Sequence, residues 1–264
     1  MAPHVADGRL PSGLLGSADV PVYRVHRPQG RSPFVLVADH AGQAIPAALG
    51  DLGLPAGEID RHIGWDIGIA GVTRHLATAL DAWAIEQHYS RLVIDCNRPL
   101  ASPTLIPAVS DGTVIAANQA IDANQRQARI DAIHAPYHHR IGAQLDARQA
   151  AARPSVLVLL HSFTPVMNGS ARPWHCGVLY NRDTRLARRL LAALQAEGDL
   201  VVGDNQPYAV SDDSDYAANV HAEARGLAYV EIEIRQDLIA DAAGQAAWAE
   251  RLARLLPPLL HGLA

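Results

Sequence analysis

FVLVADH, residues 34–40, is an uninterrupted apolar run that ends in a carboxylate and an imidazole. A run this short, β-rich and without polar alternation, suits a strand covered on both faces. The same kind of run recurs as WAIEQ (83–87), RLVID (91–95), SVLVLL (155–160), CGVLYN (176–181), LVV (200–202) and AYVEIEI (228–234). Helical patterns lie between them. Apolar Ile69, Val72, Leu76 and Leu80 mark one face of a helix over 67–80, and a long Ala/Gln/Arg-rich helix is expected over 121–151, kinked or split at Pro136. Further helices are expected over 185–197, over 215–225 with Gly226 as C-cap, and over 245–260. Strands alternating with helices predict an α/β fold, a three-layer α/β/α sandwich on a mostly parallel or mixed central sheet. Residues 1–32, rich in Pro, Gly and Arg with no sustained period, read as a surface-hugging arm, and residues 33–264 as one domain.

Composition narrows what such a domain can do. The 264 residues carry a formal charge of −5, and no basic cluster stands out, which argues against nucleic acid and anionic membrane surfaces as partners. No apolar run approaches the roughly 18 residues needed to span a bilayer, and the first twenty residues lack a basic start followed by an apolar core; a cytoplasmic protein is the expectation. Cys96 and Cys176 are the only cysteines, too few for a disulfide framework or a Cys-type zinc site, and read as small buried hydrophobes. All 22 cationic side chains are arginines, which excludes lysine Schiff-base and general-base chemistry. Neither a G-x-S-x-G elbow nor a glycine-rich phosphate loop occurs. Against this background, 13 histidines beside two phenylalanines is the feature that needs explaining.

In open α/β sheets ligands bind beyond the carboxyl ends of the strands, so the residues that close each apolar run matter most. His40 follows the first run, Cys96, Asn97 and Arg98 follow RLVID, and His161 follows SVLVLL. AYVEIEI ends in Glu231, Glu233 and Arg235, on the opposite side of the strand from Val230, Ile232 and Ile234. An imidazole aimed by a rigid strand can ligate zinc through one nitrogen while the other is held from behind, which makes His40 and His161 candidate ligands. Asp66 is the candidate third ligand, placed four residues after His62 on what would be one helix face, or else the N-cap of the helix that follows. Glu233, near its strand's end in a partly dry cleft, is the candidate general base, unless that strand side is a salt-bridged solvent face. Arg98 with Asn97 suits recognition of a substrate carboxylate, and Arg91 reads either as a second anion contact or as a surface arginine.

Taken together, DHAGQAIP (39–46), HIGWDIGIAGV (62–72), SRLVIDCNRP (90–99), PYHHRI (136–141), LHSFTPV (160–166), RPWHCGVLYN (172–181), DNQPY (204–208) and HAEARGLAYVEIEIRQDL (221–238) resemble the N-formylglutamate amidohydrolase family. The resemblance implies a fold like that of zinc carboxypeptidases and aspartoacylases, and hydrolysis of the amide bond of a small N-acyl amino acid such as N-formylglutamate. It implies a zinc ion at His40 and His161, a water-activating role for Glu233 and a carboxylate clamp at Asn97 and Arg98. It also places His138, Asn205 and His221 in the cleft as substrate-binding residues. Related zinc peptidases carry a glutamate ligand three residues after the first histidine, where this chain has Gln43, so the anionic contact falls to Asp66. Two other readings remain: a metal-independent hydrolase using the same histidines and carboxylates, and a non-catalytic binder, for which Gln43 is the hint.

Overall fold

The computed structural model describes residues 13–263. Its central sheet has seven strands: β1 (Tyr23–His26), β2 (Phe34–Ala38), β3 (Trp83–Gln87), β6 (Val156–Phe163), β9 (Cys176–Leu179), β10 (Val202–Asp204) and β11 (Tyr229–Arg235). Two short hairpins, β4 (Val109–Ser110) with β5 (Thr113–Val114) and β7 (Val166–Met167) with β8 (Ser170–Ala171), stand apart from it. The strand order is β1-β3-β2-β6-β11-β9-β10. β3, β2, β6 and β11 run parallel, β1 is antiparallel to β3, and β9 and β10 form a parallel pair antiparallel to β11. The sheet is therefore mixed, with a parallel centre. The chain leaves β2 for β3 on one side and returns to β6 on the other, so the carboxyl ends of β2 and β6 bound a topological switch point.

The central strands are buried end to end, and alternation along each divides its side chains between two cores. Leu36, Val158, Leu160, Val230, Ile232 and Ile234 pack under α1 (Ile69–Leu80), α4 (Arg185–Ala196) and α5 (Ala242–Leu255). Val35, Val37, Leu157, Leu159 and Tyr229 pack with Ile133, Tyr137, Ile141 and Leu145 on the opposite face, beneath α3 (Ala135–Ala150). Glu231 and Glu233 share the side of β11 that carries Tyr229. They are 3% and 6% exposed, which removes the solvent-facing reading of that strand side.

Three expected elements form differently. RLVID is a buried turn: the Ser90 hydroxyl accepts from the Leu92 N–H at 3.1 Å and the Ser90 carbonyl from the Val93 N–H at 2.9 Å. A serine offering the backbone these bonds outcompetes the β-rich composition after it. The helix over 121–151 runs as α2 (Ala123–Arg129), one wide π-type turn (Ile130–His134) and α3, with Pro136 in the first turn of α3, where a missing N–H is tolerated. Over 215–225 the chain makes a second π-type turn (Ala218–Ala222) and a 3-10 turn (Glu223–Arg225), closed by Gly226 at φ 65°. Within the stretch read as an arm, Tyr23–His26 forms the sheet's edge strand; residues 1–12 lie outside the described residues. No helix among the described residues is long and apolar enough to cross a membrane.

That edge strand is held by a buried carboxylate. Glu86 on β3 takes a forked contact from Arg74 of α1, with Nε at 2.9 Å and Nη2 at 2.9 Å, and lies 3.1 Å from Nε2 of His26 on β1. Burial pushes the Glu86 pKa up, but the bonds from His26 and Arg74 outweigh it and hold it below the usual glutamate range. A carboxyl whose folded pKa is depressed adds stability above its unfolded pKa and loses it as pH falls through the folded one. Glu86→Ala is expected to lower unfolding free energy by about 1–3 kcal/mol at neutral pH. The gap from wild type should narrow below about pH 4 in urea melts.

Candidate active site

The switch point opens into a cavity of about 460 Å³ lined by His40, Arg91, Arg98, His161, Glu231 and Glu233, among others. Each of the two histidines is delivered by a strand. His40 lies two residues past β2, and His161 lies in β6 in register with Glu233 of the neighbouring β11. Asp66 arrives from the loop before α1, anchored by its N–H on the His40 carbonyl at 2.9 Å. Gly42 lets the loop after His40 press against the next segment, since a Cβ there would sit 2.0 Å from the His88 carbonyl oxygen.

Side-chain bonds orient these groups. Nε2 of His40 is 2.6 Å from Oδ1 of Asp95, which leaves Nδ1 turned towards Asp66 Oδ2 at 3.6 Å. Nδ1 of His161 lies 3.0 Å from the same Asp66 oxygen, and its Nε2 is 3.7 Å from Asp39. Asp66 Oδ2 also accepts from the Ser162 N–H at 3.1 Å, and Arg91 bridges Asp66 and Asp95, at 3.2 Å from each. Asp66 does not cap α1, whose N-cap is Gly68. Nor does it share a helix face with His62, which lies on a turn with Nε2 3.4 Å from Asp111.

The donor set fits a small divalent cation. His40, Asp66 and His161 are buried, and one ligand atom of each lies within 4.8 Å of the others. Nδ1 of His40 has no hydrogen-bond partner in this dry setting. Two imidazoles and a carboxylate, with further carboxylates behind the rings, match a catalytic zinc site of three protein ligands and an open position. Gln43 takes no part; it is exposed and donates to Asp60 at 3.3 Å.

The charges at the site are strongly biased by their surroundings. Burial pushes the Asp66 and Asp95 carboxyls up, but His40, with His161 at Asp66 and Arg91 at both, more than reverses this and keeps them below the usual range. Glu233 goes the other way. Burial raises its pKa to about 7, only partly offset by His161. Glu231, buried beside Asp215 and Glu233, is likewise pushed well above the usual glutamate range. Burial also raises both thiols, that of Cys176 to about 12, so neither is a ready nucleophile.

The remaining expected site residues separate into two groups. Arg98 lines the cavity, with Nη1 donating to the Ser214 and Asn97 carbonyls and Nε 4.0 Å from Asp95. Arg91 also lines it, tied to its two aspartates. Asn97 also lines the cavity, but its amide is committed to the chain: Oδ1 accepts from the N–H groups of Tyr216 and Ala217 at 3.0 and 3.2 Å, and Nδ2 donates to Asp215. Asn205 holds a turn, its Oδ1 accepting from the Tyr180 N–H at 2.9 Å, and does not line the cavity. His138 and His221 are buried behind the 95–98 loop and do not line it either. Sequence reasoning passed over Asp39 and Asp95, the carboxylates behind the two imidazoles. The acids beside His40 and before Asn97, in ADH and IDCN, were the available signal.

A strand-end pair of histidines and a buried carboxylate thus meet at the switch point of this fold. The chain is a member of the N-formylglutamate amidohydrolase family, whose sequence profile matches residues 32–240. A gene product of Agrobacterium tumefaciens of known crystal structure is 38% identical, with a TM-score of 0.91 over 95% of this chain and 99% of that one. The N-formylglutamate amidohydrolase of Ralstonia eutropha shares the fold at 19% identity, with a TM-score of 0.69 over 91% of this chain and 97% of that one. Among curated proteins no match was found.

The commitment of Asn97 to three chain partners has a measurable consequence. Asn97→Ala strands two backbone donors and one acceptor of Asp215, at an expected loss of about 2–4 kcal/mol in unfolding free energy. Chemical denaturation checks this; a variant as stable as wild type would leave Asn97 free to serve the substrate.

Proposed function

We propose that this amidohydrolase acts on small N-acyl amino acids, N-formylglutamate being one example, with zinc held by His40, Asp66 and His161. The supporting observation is the buried His40–Asp66–His161 group with Glu233 in register beside His161. Zinc, when bound, supplies Lewis acidity that polarises an acyl carbonyl and acidifies water.

The chain's own groups divide the remaining work. Glu233 lines the cavity, so a carboxylate oxygen there can take the proton of a water attacking the acyl carbon. The same oxygen then returns that proton to the departing amine nitrogen, since a carboxyl with a pKa near 7 both accepts and releases a proton at neutral pH. Arg98 supplies the cation for the substrate's carboxylate: its Nη1 is occupied by carbonyls, while Nη2 has no bonded acceptor among the described residues. Arg91 is neutralised by Asp66 and Asp95 and serves to hold them in place. The clamp expected of Asn97 and Arg98 together thus rests on the arginine.

Metal content of the purified protein and hydrolysis of N-formyl and N-acetyl amino acids test this reading. Glu233→Gln keeps the side chain's shape but cannot accept the proton, and should lower kcat by about 10²–10⁴-fold. Arg98→Leu should raise KM with little change in kcat. Full activity in Glu233→Gln, or in enzyme stripped of metal, would overturn the proposal.

A further inference from the structure

His138 and His221 sit outside the cavity, yet their bonds lead directly to it. His138, on α3, has Nε2 at 2.7 Å from the Cys96 carbonyl oxygen and Nδ1 at 3.0 Å from Nε2 of His221. A carbonyl only accepts, so the His138 proton is on Nε2 and its Nδ1 is bare. His221 must then donate from Nε2, so both imidazole donors point towards the Cys96 carbonyl. Burial keeps both rings neutral, lowering the pKa of His221 to about 4 and that of His138 well below its usual value.

The Cys96 carbonyl and the Asn97 N–H belong to one planar peptide unit, so whatever pins one end orients the other. The Asn97 N–H donates to Asp95 Oδ1 at 2.9 Å, and that same oxygen lies 2.6 Å from His40 Nε2. We propose that His221 and His138 form a positioning pair which orients His40 through the Cys96–Asn97 peptide and Asp95.

Three further features favour this over plain core packing. The rings are clamped: His138 stacks on His221 at 5.2 Å between centroids and touches His134 and Tyr216 at 4.4 Å each. His221 Nδ1 is left buried without a partner, a penalty that apolar side chains in the same space would not incur. Both π-type turns end at or beside this cluster, at His134 and at His221, and such turns are often found at functional sites.

The proposal uses the reading of His40 as a metal ligand in only one arm of its test. The proteins compared are wild type, His138→Phe, His138→Gln and His221→Phe, each first checked for folding by thermal unfolding. In metal-free protein the low-field proton resonance of the His40 ring N–H bound to Asp95 is followed; it should move upfield in His138→Phe and return in His138→Gln, whose amide can donate to the Cys96 carbonyl. Zinc affinity, measured by competition with a chromophoric chelator, should fall about 10–100-fold in His138→Phe and less in His221→Phe. kcat should fall more than KM changes. A folded His138→Phe with an unmoved resonance and an affinity within about threefold of wild type would overturn the proposal, as would equal behaviour of the Gln and Phe variants. If His138→Phe does not fold, His221→Phe decides by the same two readouts. If wild type takes up no zinc, the metal reading fails while the resonance still decides the positioning role.

Discussion

The contact between Asp95 and His40, at 2.6 Å between two buried side chains, is the constraint on which the surrounding structure depends. Aspartates buried this deeply carry a desolvation penalty of several kcal/mol each unless they are well paired. Arg91 offsets it for Asp95 and Asp66 together, with a nitrogen at 3.2 Å from each. Remove any one of the four and a charge is left without its counterpart in a dry pocket. The loops that carry them, 58–68 and 88–98, must therefore pack against the end of β2. They do so through backbone bonds from Asp66 N–H to the His40 carbonyl and from Arg91 N–H to the Gly64 carbonyl.

That network works only because the sheet delivers its partners with alternating faces. On β6, Leu157 and Leu159 bury towards α3, and His161, two further on, points the same way. Parallel pairing with β11 sets Glu233 beside it. The two strands thus fill a hydrophobic core along most of their length and present a titratable pair at their carboxyl ends. A one-residue slip of either strand would exchange these faces, so the packing of Ile232 and Ile234 under α1, α4 and α5 also fixes where Glu233 points.

Much of this was legible in the chain because strand periodicity is local. FVLVADH, SVLVLLHS and YVEIEIR state both the strand and which residue leaves it, and His40, His161 and Glu233 stand at the cavity where those patterns put them. RLVID failed because Ser90 makes a turn, a bond that composition does not report. Asp66 was reached by a helix argument that does not hold, since the segment from 58 to 66 is a series of turns; tertiary packing brings the aspartate in. Asn97, His138, Asn205 and His221 lie in segments that resemble the family's, but resemblance does not say which way a side chain turns. Their partners are in some cases more than eighty residues away.

The histidine excess divides on the same principle. An imidazole has two nitrogens, and the group behind one decides what the other can do. His40 and His161 have carboxylates on both sides, Asp95 and Asp66 for the first, Asp39 and Asp66 for the second. That arrangement places carboxylate oxygens beside both rings, a setting suited to a cation. His138 is backed by a carbonyl and another imidazole, and a positive charge there would be disfavoured by burial and by the neighbouring imidazoles of His134 and His221. One residue type therefore faces carboxylates on the cavity side of the 95–98 loop and a backbone carbonyl behind it. The loop separates the two environments by spending the two oxygens of Asp95 on His40 and Arg91 and its outward carbonyl at Cys96 on His138.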